Sequence, residues 1–565
     1  MKRRRTLWMV CAIMAVALSA RLAHLAAIQG HPFYDLAESW TDSDMHQFLV
    51  WARHLAAGDW LDRETFRPWF DYQVPIAPPE VWRAWFGPHV YHQPPLYPYL
   101  MAVVLAATGS VDAFRVGQLA LGAVNCGLIA LLAARVWSTR AGWIAGLAAA
   151  VYAPFILYDG ELLRGTVVMT TQLLTLLALV RWHDRRTSAA AILPGAALGL
   201  AWLADPAVLL FAPLAALWML AVSCRAAGRW RPTATGLMPV ACLAAGFLAA
   251  IVPLATRNAA VGAPPLSSTT RGPIAFVMGN APDARPAGAY VPPSAGPILR
   301  ASQYGMAATM RETLRLYQGN WGALAGKQWE KLVSLWSAYE VPDNPSFYYA
   351  ARISSIVRYA LRFLPVAALG LVGLALSIPR VRAGDPLALL VPFYMLATLA
   401  IFLMAHVTSR YRQPLAMSLI VMGAGAAAWA WESKGVRGAA ALAAAGVLML
   451  VLPTAPPEGY GYQRPAEYVM VARTFQERGA AGLAIEEMSA AVAAARREEP
   501  YRPFVPTLLF ELGGLQAGAG RLDQAAQSFR EVLAADPGFT EARDALREVE
   551  QKKTPALQAT PGPGK

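Results

Sequence analysis

Lys2-Arg3-Arg4-Arg5 opens the chain, an apolar run from about residue 7 to 28 follows, and the next polar stretch reads Ser39-Trp40-Thr41-Asp42-Ser43-Asp44-Met45-His46-Gln47-Phe48. The apolar run matches the roughly 20 residues a helix needs to cross a bilayer. Its basic flank predicts a cytoplasmic N-terminus. Asp42 and Asp44 then stand just past the opposite membrane face, where carboxylates are costly to hold and often mark function. A cleaved signal peptide is the alternative, with Ala17-Leu18-Ser19 as a passable cleavage site. The length of the run and the spans that follow it argue for a membrane helix.

Of the 565 residues, 56% are hydrophobic and 15% charged, against about 25% charged in soluble domains. Lipid is therefore the expected solvent. The formal net charge of +13 does not read as nucleic-acid binding, because Lys and Arg are not interleaved with aromatics on one face. They sit at the ends of apolar runs, as orientation signals do. Cys11, Cys126, Cys224 and Cys242 lie in or at the ends of apolar runs without CxxC spacing, so neither a disulfide framework nor a zinc site is expected.

Candidate spans cover roughly residues 7–28, 114–134, 142–158, 162–180, 188–204, 206–223, 234–255, 355–378, 387–405, 415–431 and 439–453. The turns at 135–140, 181–186, 225–231, 380–382 and 434–437 are basic. The positive-inside rule puts all of them in the cytoplasm with the N-terminus. That parity makes 94–110, apolar but short, a juxtamembrane or re-entrant helix. The expected fold is an all-α polytopic membrane protein of about eleven transmembrane helices. It carries extracytoplasmic loops at 29–113 and 256–354, and its C-terminal region is also outside.

The parity gathers six polar constellations on one face. Asp42 and Asp44 could share a site in an extended segment or simply cap the helix that starts there. Tyr91-His92-Gln93-Pro94-Pro95-Leu96-Tyr97 fixes a bend at the interface, with His92 as a polar contact. Asp159 and Glu161 are squeezed between two spans and need partners or water. Arg257-Asn258 and Gly279-Asn280 follow, then Glu340 and Asn344. Last comes Arg410-Tyr411-Arg412-Gln413-Pro414, whose planar guanidiniums suit a lipid-linked phosphate or an anionic headgroup.

In this order the segments resemble the GT-C superfamily of membrane glycosyltransferases, over about residues 1–450. The likeness is to bacterial relatives of protein O-mannosyltransferase and of the lipid A aminoarabinose transferase. The carrying residues are the Asp after the first span, Ala52 to Trp60, Pro94-Pro95-Leu96-Tyr97-Pro98, Arg257-Asn258, Gly279-Asn280 and Arg410-Tyr411-Arg412-Gln413-Pro414. The resemblance implies transfer of a sugar from a polyprenyl-phosphate donor to a protein, lipid or glycan at the extracytoplasmic face of a bacterial inner membrane. Asp44 is the expected base or acceptor-orienting group, because Asp44, Phe48 and Ala52 match the family's Asp-aromatic-Ala helix. Asp42 is second, and Asp159 would orient acceptor or sugar. Arg410 and Arg412 would stabilise the leaving phosphate, with Arg257 as a further candidate. His92, Glu161, Asn258, Asn280, Glu340, Asn344 and Tyr411 complete the expected binding set. A prenyl phosphate leaves readily, so no cofactor is required, although Asp42 with Asp44 leaves room for a divalent ion. The Asp-Glu pair of eukaryotic O-mannosyltransferases is missing, which leaves the acceptor class open.

From about residue 454 the pattern changes. Leu509, Leu512, Gly513, Gly520, Ala525, Phe529 and Pro537 follow tetratricopeptide spacing, and Tyr468 to Ala491 form a looser copy. Residues 1–453 are thus expected as the membrane domain, 454–551 as a helical-repeat domain that could dock a protein partner, and 552–565 as a disordered tail. A transporter or flippase of lipid-linked sugars is the main rival and would need polar groups inside spans, with Asp205 the chief candidate. A tetratricopeptide assembly protein with a membrane anchor is a weaker one, since so many spans exceed what anchoring needs.

Overall fold

A computed structural model describes residues 2–63, 73–87, 89–226, 234–433 and 435–553. Among the described residues the chain is helical and shows no strand; one isolated bridge joins Tyr152 and Leu361. Among the described residues, eight helices are long and apolar enough to cross a membrane: Arg4–Ile28, Val111–Val136, Gly165–Arg185, Pro206–Arg225, Gly236–Ala260, Phe363–Arg382, Leu387–Met404 and Gln413–Ser433. Leu96–Thr108, Ala189–Ala204 and Val436–Val451 are shorter apolar helices. The chain is a multi-pass, all-α membrane protein.

One expected span is broken. Residues 142–158 form two helices, Thr139–Ala150 and Ala153–Gly160. Pro154 opens the second helix and has no N–H to continue the first. Passing chain supplies the bonds instead: Leu361 N–H donates to Val151 O at 2.9 Å, and Ala153 N–H donates to Leu361 O at 2.8 Å.

Contacts at the helix ends sort the polar turns into two groups. Arg135 pairs with Asp184 at 2.6 Å and Arg140 with Glu432 at 2.8 Å. Arg380 donates to Val136 O at 2.6 Å, and Trp218 Nε1 donates to Pro386 O at 2.7 Å. The described basic turns therefore share one end of the helix bundle; residues 227–231 and Lys434 lie outside the described residues. At the other end, Arg412 lies over the Phe363 ring at 3.7 Å and Asn280 donates to Met404 O at 3.0 Å. Close helix approach depends on glycine at two points. A Cβ on Gly195 would stand 2.0 Å from Leu243 O, and one on Gly373 would stand 2.0 Å from Met422 O.

The chain divides into two compact units: Thr41–Pro457 with the chain up to Ala27, and Ile28–Trp40 with the chain from Glu458 onward. The loop expected over 29–113 is thus split, and its first residues belong with the C-terminal helices. There Arg478 pairs with Asp35, and His31 meets the Phe475 ring edge-on at 5.7 Å. The second unit contains Pro465–Glu477, Ala481–Arg497, Val505–Gly518, Leu522–Ala535 and Thr540–Lys553. Phe529 packs on Gly513, where a Cβ would come within 2.5 Å of its ring. Lys552 and Lys553 close the last helix rather than opening a tail; residues 554–565 lie outside the described residues.

Candidate functional site

Asp44 starts the helix Asp44–Ala56, which Ser43 caps by accepting His46 N–H at 3.1 Å. A carboxylate in the first turn also suits the helix dipole. Four segments meet on it. Asn344 Oδ1 accepts its backbone N–H at 2.9 Å, and Gln93 Nε2 donates to Oδ1 at 3.0 Å. Arg410 Nη2 lies 2.6 Å from Oδ2, and Arg271 Nη1 lies 3.5 Å from Oδ1. Burial works against the ionised carboxyl, but the guanidiniums of Arg410 and Arg271 overcome it and hold Asp44 well below the ordinary carboxylate range. Arg410 also pairs with Asp343 at 2.7 Å and donates to Tyr411 Oη at 2.8 Å.

All of these contacts use one nitrogen of Arg410. Its Nε and Nη1 are buried and have no hydrogen-bond partner among the described residues. Arg410 also lines a cleft. Arg164, Tyr411 and Gln413 join it there, together with Gly165 at the start of the helix Gly165–Arg185. Apolar walls follow from Val168, Val208, Phe211, Tyr394, Ile401 and Phe402. Two cations and a helix N-terminus stand at one end of the cleft, groups of the kind that hold anions. The rest suits hydrocarbon.

Arg412 is differently placed. Its Nη1 donates to Ser337 O at 2.6 Å and its Nη2 pairs with Glu340 at 2.6 Å. Both side chains are buried, so Arg412 ties the 409–412 turn to the 335–340 segment. Arg257 is also engaged by main chain: Nε donates to Leu61 O and Nη1 to His89 O, each at 2.7 Å, and Nη2 donates to Asp62 O. Its guanidinium lies over the Tyr91 ring at 4.2 Å. From the sequence Arg410 and Arg412 are the phosphate candidates and Arg257 a further one; of the three, Arg410 lines the cleft.

The folded chain is similar to archaeal oligosaccharyltransferases. The Archaeoglobus fulgidus oligosaccharyltransferase AglB, in complex with an inhibitory peptide and a dolichol-phosphate, aligns at a TM-score of 0.42 and 14% identity, over 84% of this chain and 58% of that one. The A. fulgidus enzyme in complex with Zn and sulfate gives 0.41 and 15%, over 81% and 55%. The form tethered to an acceptor peptide gives 0.39 and 16%, over 79% and 56%. The chain thus spans under three fifths of the length of these structures. No family model matches the sequence, and no curated protein matches it.

Other expected site residues lie elsewhere. Asp159 Oδ2 accepts from Arg21 Nε at 2.8 Å, and Oδ1 accepts from Thr166 at 2.5 Å. Arg21 belongs to the first span, so Asp159 is locked in a buried ion pair and shares no partner with Asp44. Gly122 makes room for that pair; a Cβ there would stand 2.2 Å from Asp159 Oδ2. Asn258 Nδ2 holds the 264–267 loop through three carbonyls. Asn280 Oδ1 accepts from Gln328 at 2.7 Å and from Lys331 at 3.1 Å. His92 Nδ1 pairs with Thr270 at 2.7 Å; burial and then the charge of Arg271 push it down to about 3, so the ring is neutral. Asp42 is exposed while Asp44 is buried. A cation between the two does not fit, because Asp44 already faces two guanidiniums and an amide donor.

Glu161 is buried in the turn before the helix Gly165–Arg185, and burial pushes it up to about 7 against the charge of Arg115. An acid raised in the folded state contributes its full stability below its ordinary value and loses it as pH rises through about 7. Glu161→Gln is therefore expected to flatten the fall in thermal unfolding midpoint between about pH 5 and 8, an effect of up to roughly 3 kcal/mol. Parallel profiles for wild type and variant would show that Glu161 does not set this dependence.

Arg271, Arg164, Asp343, Gln93 and His406 join the site without having been assigned roles from sequence. Gln93 lies within the Tyr91 to Tyr97 motif and Asp343 next to Asn344; Arg271 and Arg164 carry no local signal. His406 is buried with both ring nitrogens lacking partners among the described residues, and it meets the Tyr411 ring at 5.5 Å. Burial and the charges of Arg271, Arg410 and Lys331 push it down to about 3. It is a neutral donor–acceptor beside the arginines.

Proposed function

We propose that this chain is a glycosyltransferase using a polyprenyl-phosphate sugar as donor, in line with the resemblance to relatives of protein O-mannosyltransferase and the aminoarabinose transferase. The prenyl tail would lie along the apolar walls of the cleft. Its phosphate would approach Arg410, whose buried Nε and Nη1 have no hydrogen-bond partner among the described residues, with Arg164 and the N-terminus of the helix Gly165–Arg185 beside it. An acceptor oxygen or nitrogen attacks the anomeric carbon, the bond from that carbon to the phosphate oxygen breaks, and the phosphate leaves with the electron pair. Asp44 receives or orients the acceptor's proton. The supporting observation is that one guanidinium both touches the Asp44 carboxylate at 2.6 Å and lines the cleft with unengaged donors.

The end of the bundle opposite the basic turns would then face away from the cytoplasm of a bacterial cell. In the second unit, a groove lined by Glu486, Arg496, Arg497, Arg521 and Glu531 is the surface we assign to a protein partner.

The test uses purified protein in detergent with radiolabelled polyprenyl-phosphate sugars. Arg410→Gln is expected to lower donor kcat/KM by about 10²–10³-fold, the usual effect of removing one preorganised donor to a developing charge. In proteoliposomes, movement of labelled lipid between leaflets with its sugar bond intact would support the flippase alternative. Unchanged donor kinetics would remove Arg410 from the donor site.

A further inference from the structure

The helix Asp44–Ala56 ends in two successive turns. Ala57 N–H donates to Arg53 O and Gly58 N–H to Leu55 O, each at 3.0 Å. Gly58 has φ of +121°, a conformation open to glycine, and the chain reverses there. Asp62 N–H donates to Asp59 O at 2.9 Å and closes the second turn. The reversal carries two carboxylates back to His54 in the last helical turn. His54 Nε2 lies 3.3 Å from Asp59 Oδ2 and 3.7 Å from Asp62 Oδ1. The three ligand atoms all lie within 4.8 Å of one another.

A second observation points into the same space. The Asp62 side chain is 2% exposed. Its Oδ2 accepts the Trp51 indole N–H at 2.5 Å, but Oδ1 faces His54 at a separation beyond hydrogen-bonding reach. Holding a buried carboxylate beside a second one is costly unless a proton or a cation neutralises it, and the geometry here leaves space for a cation. The spacing suits one. Ligands about 2.1 Å from a metal at tetrahedral angles stand about 3.4 Å apart, close to both measured separations. Imidazole with two carboxylates suits Zn²⁺ or Mn²⁺ better than the hard alkaline-earth ions. His54 and Asp59 are about one third exposed, which leaves an entry path and room for water as further ligand.

We propose that His54, Asp59 and Asp62 bind a divalent transition-metal cation, Zn²⁺ or Mn²⁺, through Nε2 and one oxygen of each carboxylate. The cation fixes the 57–62 turn. That turn presents the Leu61 and Asp62 carbonyls that hold Arg257. It also carries Trp60 and Leu61, which wall a groove with Tyr91, Tyr99 and Arg257. The site is independent of the glycosyl-transfer reading, since its readout is metal content and turn stability, not turnover.

The test takes the full chain in detergent, tag removed, stripped with chelator and dialysed against Zn²⁺ or Mn²⁺ alone. Wild type is expected to retain one cation per chain and to unfold at a higher temperature when loaded. His54→Gln and Asp59→Asn change partly exposed side chains and are expected to lose both retention and the metal-dependent rise while keeping the metal-free midpoint. Electron paramagnetic resonance of Mn²⁺-loaded wild type gives a reading that needs no variant: coupling to an imidazole nitrogen is expected. No retained cation, equal retention in both variants, or absence of that coupling would overturn the proposal.

Discussion

Asp44→Asn is expected to lower sugar transfer by about 10²–10⁴-fold, the usual worth of a positioned proton acceptor, with little loss of fold. The fold survives because Arg410 keeps Asp343 at 2.7 Å and the amide can still accept from Gln93. The chemistry does not, because an amide cannot take the acceptor's proton. In the resting arrangement Asp44 is a weak base, held down by Arg410 and Arg271. Under the proposed function the donor phosphate competes for those guanidiniums. As they turn to it, the carboxylate's hold on a proton strengthens when the acceptor must release one. Donor binding should be nearly unaffected in Asp44→Asn, so single-turnover chemistry should fall while donor KM stays close to wild type. Wild-type turnover in the variant would take Asp44 out of the mechanism.

Arg412→Met should act on the fold instead. Removing one partner of the buried Arg412–Glu340 pair strands a charge, which costs about 3–5 kcal/mol. It also frees the Leu335, Ser337 and Tyr339 carbonyls that Arg412 satisfies. The unfolding midpoint in detergent is expected to drop sharply. Adding Glu340→Gln to it should recover part of the loss, because the stranded carboxylate is then gone. Arg410→Gln strands the buried Asp44 and Asp343 carboxylates in the same way, so it is expected to lower stability as well as donor kinetics, and its donor effect is read on the folded fraction. A stable Arg412→Met protein with weakened donor binding would reverse the assignments of the two arginines.

The 409–412 turn shows what was legible beforehand. Two arginines around a tyrosine outside a span mark a polar site by local composition, and Asp44 beside the first span marks another. That the two meet depends on a contact across 366 residues, which parity of the spans implied only as a shared membrane face. Which arginine lines the cleft was not legible, since that depends on the carboxylates and carbonyls that other segments bring to Arg257, Arg410 and Arg412. Asp159 looked like a site residue because a charged turn near lipid needs a partner. The partner is Arg21, 138 residues earlier, and the need is met inside the bundle.

The sequence by itself determined the solvent and the architecture: runs of apolar residues long enough to span, basic turns between alternate runs, and a change of pattern after the last. These are local properties, because lipid forces each run to satisfy its own backbone as a helix. Only the tertiary structure decided which polar side chains share a site. Arg271, Gln93, Asn344 and Arg410 reach Asp44 because separate helix ends and loops pack together there. Whether a guanidinium or carboxylate remains open to a ligand depends on the groups packed around it, which no stretch of neighbouring residues specifies.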